Sequence, residues 1–296
     1  MRIGYQLPSY GALATREDIT RVATHVEATV LDSVWVGDHV VFPVASSSPY
    51  PYTSDGSFPL GNDGAFLEAL TVLSFVAAMT ERVMLGTSVL VLPQRDEMLA
   101  ARQLGSLATL APGRVIAGIG SGWLREEFEV LGRSFDDRGA VLDEQLVALR
   151  GLWTEHGYGQ QGDHVAFPPV YMEPLPPSAP EVWVGGNSAP ALRRAGRLAD
   201  AWHAAGADSI EQLTTSMDVV RAAAARAGRN ESQVALTARI GMGRGPRGTE
   251  GLRRRLGLLA SVGCTHVMVD PRAADLDDAL WCCDTLAALA GEISTG

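Results

Sequence analysis

Lysine is absent from the 296-residue chain, and all 24 of its basic residues are arginine. Chemistry that needs an ε-amino group is thereby excluded: no Schiff base can form, and no P-loop lysine can reach a phosphate. Cysteine is scarce. Cys264, Cys282 and Cys283 are odd in number and lack CxxC spacing, which supports neither a disulfide framework nor a thiolate zinc site and points to buried thiols. The six histidines include no HxxxH or HxH pair, so no metal site is expected. Long apolar runs are missing too. The longest, 70–80, is too short to span a bilayer, and the start MRIGYQLPSYG has no apolar core of the secretory kind, so the cytoplasm is the expected compartment. Positive charge is in deficit, with a net charge of −10 and a pI near 5.1. Nucleic acid and anionic membranes are therefore poor partners, and an anionic ligand has to meet a local arginine cluster.

What is present is globular: 46% hydrophobic residues and 32 glycines, the mark of a core with many tight turns. Short β-rich runs alternate with longer amphipathic ones from end to end, the pattern of a parallel sheet with crossover helices. Eight strands are expected, at 2–7, 33–36, 83–90, 114–119, 181–184, 201–203, 235–241 and 266–269. With no composition break, 1–296 reads as one α/β domain, a (β/α)8 TIM barrel with loop insertions.

The first helix shows the logic. Thr15 and Asp18 stand at N-cap and N3 spacing, and Ile19, Val22, Ala23 and Val26 recur on one face. A later helix at 136–153 puts Leu142, Leu146, Leu149 and Trp153 on one side. Two segments are too long for simple connectors. The first, 42–66, follows strand two and is rich in Pro, Ser, Gly and aromatics, as a lid over a barrel mouth would be. The second, 156–180, precedes strand five, starts on the opposite rim and alternates apolar with polar residues around 164–172.

Catalytic groups in a barrel come from the C-terminal ends of strands. Strand two ends in VWVGDHV, which sets Asp38 and His39 at the mouth. An imidazole there exchanges protons near neutral pH, while the bland alternative is a capping Asp and a structural His. Gln6, at the end of strand one, is either a substrate contact or a solvated terminus. Strand three, LGTSVLVLP, carries small residues inside an apolar run, a sign of close backbone approach or of a local distortion. Strand four ends in AGIGSGWLREEFEVLG. This is not a dinucleotide fingerprint, because the last required glycine falls on Trp123 and three βα units precede it. Strand five ends in VGGNSAPALRRAGRLADAWH, where Gly185, Gly186, Asn187 and Ser188 offer backbone N–H groups ahead of a helix, a ready phosphate site. Arg193, Arg194 and Arg197 follow, either as a solvated basic face or with one of them assisting that phosphate.

In this order, VWVGDHV, LGTSVLVLP, AGIGSGWLREEF and VGGNSAPALRRAGRLADAWH resemble the luciferase-like flavin and deazaflavin oxidoreductases, in particular the coenzyme F420-dependent subgroup. The resemblance runs from about residue 1 to 289. It implies a non-prolyl cis peptide between Ser88 and Val89, forming a bulge behind the cofactor ring, with Ser121 and Gly122 lining that ring. It implies hydride transfer between F420 and a small uncharged or weakly charged organic substrate under the 42–66 loop. His39 then serves as general acid or base, Asp38 orients it or touches the cofactor, and the protein is a homodimer. His203, ending strand six, is the second candidate for proton exchange. One departure bears on the activity: deazaflavin-dependent sugar-phosphate dehydrogenases carry a catalytic glutamate where this chain has Trp123. The lysines that such relatives place on phosphate are also missing, which keeps FMN open as cofactor. An FMN-dependent monooxygenase and a non-catalytic flavin-binding protein are the alternative readings.

Overall fold

A computed structural model describes residues 1–58, 65–206 and 209–295, apart from the side chains of 294 and 295. In chain order the first half comprises β1 (Arg2–Gln6), α1 (Arg16–Ala28), β2 (Ser33–Val36), α2 (Ala69–Ala77), β3 (Met84–Thr87), β4 (Leu90–Val91), α3 (Glu97–Leu110), β5 (Val115–Gly120), α4 (Arg125–Val130) and α5 (Arg138–Thr154). The second half adds β6 (Tyr158–Gln160), β7 (Phe167–Val170), β8 (Glu181–Gly185), α6 (Ala189–Leu198), β9 (Ala201–Ala205), α7 (Ile210–Arg226), β10 (Ala235–Gly241), α8 (Gly245–Ser261), β11 (Cys264–Asp270) and α9 (Leu276–Thr295).

The main sheet runs β3-β2-β1-β11-β10-β9-β8-β5-β4 with every pairing parallel, and a β3–β5 pairing closes it. β3 and β4 are two halves of one interrupted strand, so the result is the eight-stranded (β/α)8 barrel expected from the alternation. Helix α1 is capped by Thr15, whose side chain accepts from the Asp18 N–H, and buries the four apolar residues named for it. Each fully buried aliphatic side chain of this kind contributes about 1.5–3 kcal/mol. The 156–180 segment is an antiparallel hairpin of β6 and β7 laid along α5, where the Glu144 carboxylate accepts the N–H groups of Asp163, His164 and Val165. Among the described residues no helix is long and apolar enough to cross a membrane.

The barrel interior is aromatic. Trp35 stacks on His203 at 5.7 Å and lies 5.1 Å from Trp183, while His266 sits edge-on to both tryptophans. Room for Trp35 comes from glycine on the flanking strands. A Cβ on Gly4 would lie 2.3 Å from the indole nitrogen of Trp35, and one on Gly86 would lie 2.3 Å from its ring carbons. These side chains plug the barrel interior beneath its C-terminal mouth.

Candidate active site at the C-terminal mouth of the barrel

The floor of the mouth is the break between β3 and β4, where the Ser88–Val89 peptide is cis, at the bond named from the sequence. The neighbouring strands are glycine where the bulge protrudes: a Cβ on Gly118 would fall 1.9 Å from the Thr87 carbonyl oxygen, and one on Gly185 2.7 Å from the Val89 side chain. Under the bulge, His203 contacts the Ser88 hydroxyl through Nε2 and the Thr237 hydroxyl through Nδ1, each at 2.9 Å. Burial, with Arg239 nearby, pushes its pKa down to about 3. His203 thus braces the bulge from beneath.

Asp38 and His39 do not work as a pair. The Asp38 carboxylate accepts the Val91 N–H at 2.9 Å and the Arg95 guanidinium at 2.6 Å, which ties β2 to the chain just beyond the bulge. Burial raises its pKa, with Arg95 opposing. The partner of His39 is Glu127 on α4: Nδ1 lies 2.9 Å from its Oε2, and the other carboxylate oxygen accepts the N–H groups of Val40 and Val41. Burial alone would raise the Glu127 pKa, but the hydrogen bond and charge of His39 outweigh it and hold the carboxyl below its usual value. A carboxylate can only accept, so Nδ1 of His39 is the donor in this pair, and Nε2 has no hydrogen-bond partner among the described residues.

The 42–66 loop folds over this histidine; residues 59–64 of it lie outside the described residues. Phe42, Phe58, Phe66 and Trp123 surround the imidazole with ring centroids 4.5, 5.3, 5.5 and 6.0 Å away. Ser47 and Ser48 anchor the loop on the Glu126 carboxylate, whose pKa their hydrogen bonds hold at about 2. Trp123 therefore forms a wall of the His39 box.

At the end of β8 the Asn187 side chain locks onto the backbone of Ala205, and Ser188 caps α6 by accepting the Ala191 N–H. Gly186 holds a φ of +112°, a conformation for glycine. The N–H groups of Asn187, Ser188 and Ala189 have no protein partner among the described residues and lie on an exposed turn. This donor set fits a phosphate. Of the three arginines behind it, Arg194 and Arg197 pair with Asp143 on α5, and Arg193 faces solvent. Across the mouth, Ser121 and Gly122 follow β5, and Gly122 takes a φ of +80° with its carbonyl held by Arg138.

Sequence reasoning missed Glu127, which reads as one acid in a surface run, and a polar cluster at the ends of β10 and β11. There Arg239 donates to Asp270 at 2.8 Å, and the Tyr10 hydroxyl donates to the other Asp270 oxygen at 3.0 Å. The signal for Asp270 was the VMVD ending of strand eight, which parallels the VGD ending of strand two. Gln6, also at the rim, is buried with its Oε1 unpartnered among the described residues. A separate groove of about 400 Å³ lies outside the barrel between α5 and α6. Its Arg150 and Arg229 are spent on carbonyls of Gly196, Leu198 and Ala199 at the end of α6.

A family model for luciferase-like monooxygenases matches residues 2–244, and the chain belongs to that enzyme family. It is 29% identical over 204 residues to an F420-dependent glucose-6-phosphate dehydrogenase of Amycolatopsis mediterranei, covering 68% of this chain and 56% of that one. It is 35% identical over 130 residues to an FMNH2-dependent dimethylsulfone monooxygenase of Pseudomonas fluorescens, covering 43% of this chain and 35% of that one. A relative in Mycobacterium bovis, 35% identical over 64% of this chain, is covered over 66% of its own length. In structure the chain superposes on an F420-dependent secondary alcohol dehydrogenase with a TM-score of 0.77 at 17% identity over 97% of both chains, a likeness of fold.

Proposed function

We propose that the protein transfers a hydride between coenzyme F420, seated across the C-terminal rim, and a small organic substrate held under the 42–66 loop. The observation that carries this reading is His39 fixed by Glu127 inside an aromatic box beside the cis bulge. The F420-dependent dehydrogenase among its relatives supports the choice of cofactor. When bound, the deazaflavin accepts or donates the hydride. The chain does the rest. The turn 185–188 holds the phosphate with Arg193 on the helix that follows as a further cation, Ser88 and Val89 back the ring, Ser121 and Gly122 line it, and Asp38 braces the bulge through Val91. As a substrate C–H bond gives up its electron pair as hydride, Nε2 of His39 takes the proton of the adjoining hydroxyl and a carbonyl forms. In the reverse direction the imidazolium returns that proton. The aromatic box excludes water from the exchange. The reading includes a cytoplasmic homodimer.

Parallel titration of the purified protein with F420 and with FMN, followed by fluorescence, tests the cofactor. F420 is expected to bind more tightly; FMN retained through purification with no F420 binding would instead support a monooxygenase like the FMNH2-dependent relative.

The phosphate position has its own test. Gly186→Val places a β-branched side chain at a φ of +112° and 3.2 Å from the Ala191 Cβ, which distorts the donor turn. Cofactor affinity is expected to fall at least tenfold while the circular dichroism spectrum stays that of the parent. Normal affinity in a well-folded variant would move the phosphate elsewhere.

A further inference from the structure

Arg239 and Arg272 share one carboxylate at the mouth. Asp270 is 4% exposed and accepts from Arg239 at 2.8 Å, from the Tyr10 hydroxyl at 3.0 Å and from the Arg272 N–H at 3.2 Å, with the Arg272 guanidinium 3.7 Å away. The charge of the cluster is +1, in a chain whose net charge is −10. Asp270 is saturated, but Arg239 is not: among the described residues only its Nη2 is engaged, and its side chain is 29% exposed. The lid tyrosines Tyr50 and Tyr52 lie near enough for their hydroxyls to interact electrostatically with its guanidinium. Tyr50 in turn packs on Trp123 and Phe58, and Tyr10, which donates to Asp270, stacks on Phe66, so the aromatic residues around His39 are continuous with the tyrosines next to the cluster. A cavity of about 360 Å³ lined by Gln6, Tyr10 and Arg272 opens beside the cluster.

We propose that Arg239, with Arg272 beside it, anchors a carboxylate at the end of the substrate remote from the reacting carbon, while the apolar body of the substrate fills the aromatic box next to His39. This rests on the barrel mouth being the active site, and it narrows the expectation of an uncharged or weakly charged substrate to an amphipathic acid. The guanidinium suits the task because its planar donors match a carboxylate. The surrounding aromatic rings keep water from competing. Asp270 keeps Arg239 oriented and neutral in sum until the ligand's charge meets the surplus of Arg272.

The test needs no turnover. Benzoate, phenylacetate and 3-phenylpropanoate are titrated calorimetrically against the protein both before and after addition of saturating F420, each beside its own primary amide. At least one acid is expected to bind tenfold or more tightly than its amide. Arg239→Gln, which can still donate to Asp270, is expected to erase that preference while leaving the amide's affinity and the cofactor Kd unchanged. A double variant, Arg239→Met with Asp270→Asn, removes both charges and guards against misfolding of the first; it too should lose the preference. Equal binding of acid and amide across the series, or a preference that survives both variants, overturns the proposal. So does displacement of the bound acid by added cofactor, since Arg239 would then serve the cofactor. Because affinity is read without hydride transfer, a failure of the redox reading appears separately, as acids that bind to a protein with no F420 affinity.

Discussion

Replacing His39 with alanine is expected to lower kcat for hydride transfer by about 10²-fold or more, the usual loss when a general acid or base is removed. Cofactor affinity should change little, because the phosphate donors of the 185–188 turn belong to a different strand end. His39→Asn keeps a hydrogen bond to Glu127 but exchanges no proton, and it should be nearly as slow as alanine. Glu127→Gln keeps an acceptor for Nδ1–H yet removes the charge that an imidazolium would face at 2.9 Å. A smaller loss in kcat, about tenfold, is expected from an interaction of that kind. The double variant decides whether the two act as one unit: His39→Asn with Glu127→Gln should be no slower than His39→Asn alone. Single-turnover oxidation of reduced F420 measures all four. A wild-type rate in His39→Asn would refute the acid-base role, and fully additive losses would detach Glu127 from it.

Glu127 also shows where sequence reading stopped. The barrel was legible because parallel strands and their helices obey short periods: the expected strands 33–36 and 235–241 have their observed limits, and the others differ at their ends by one to three residues. The positions at strand ends were legible for the same reason, since β2, β5 and β8 deliver Asp38, Ser121 and Gly185 to one rim. Partnership was not legible. Asp38 stands next to His39 in the chain, but the two side chains find different partners: Asp38 reaches back to Val91 and Arg95, and the carboxylate on His39, Glu127, arrives from 88 residues away. Arg239 was hidden differently. Inside the run ALTARIG it breaks an apolar pattern without any local sign that its partner would be Asp270 on the next strand.

The same interior that positions the mouth makes the fold sensitive to acid. His203 and His266 are both buried in the barrel, and desolvation, with Arg239 near the first and Arg2 near the second, pushes each pKa down to about 3. In the unfolded chain a histidine titrates near about 6.5. Between those values the unfolded state binds one more proton per histidine than the folded state, so stability falls as pH falls. Above about pH 7 neither state is protonated and the curve is flat. Each histidine contributes a slope approaching about 1.4 kcal/mol per pH unit, and the pair should cost about 4 kcal/mol between pH 7 and pH 5. Carboxylates with lowered pKa, such as Glu127 and Asp270, lose their contribution in the same direction. They do so mainly below pH 5, which leaves the upper window to the histidines. Urea unfolding at pH 7, 6 and 5 measures the slope. His266→Gln removes one titrating group while leaving a polar atom for the Ser33 hydroxyl that His266 contacts at 2.7 Å. Whatever its stability at pH 7, the variant should show about half the parent's dependence on pH. An unfolding midpoint that stays constant from pH 7 to pH 5 in the parent protein would mean that the barrel interior accommodates an imidazolium, against the apolar packing of Trp35 and Trp183 around both rings.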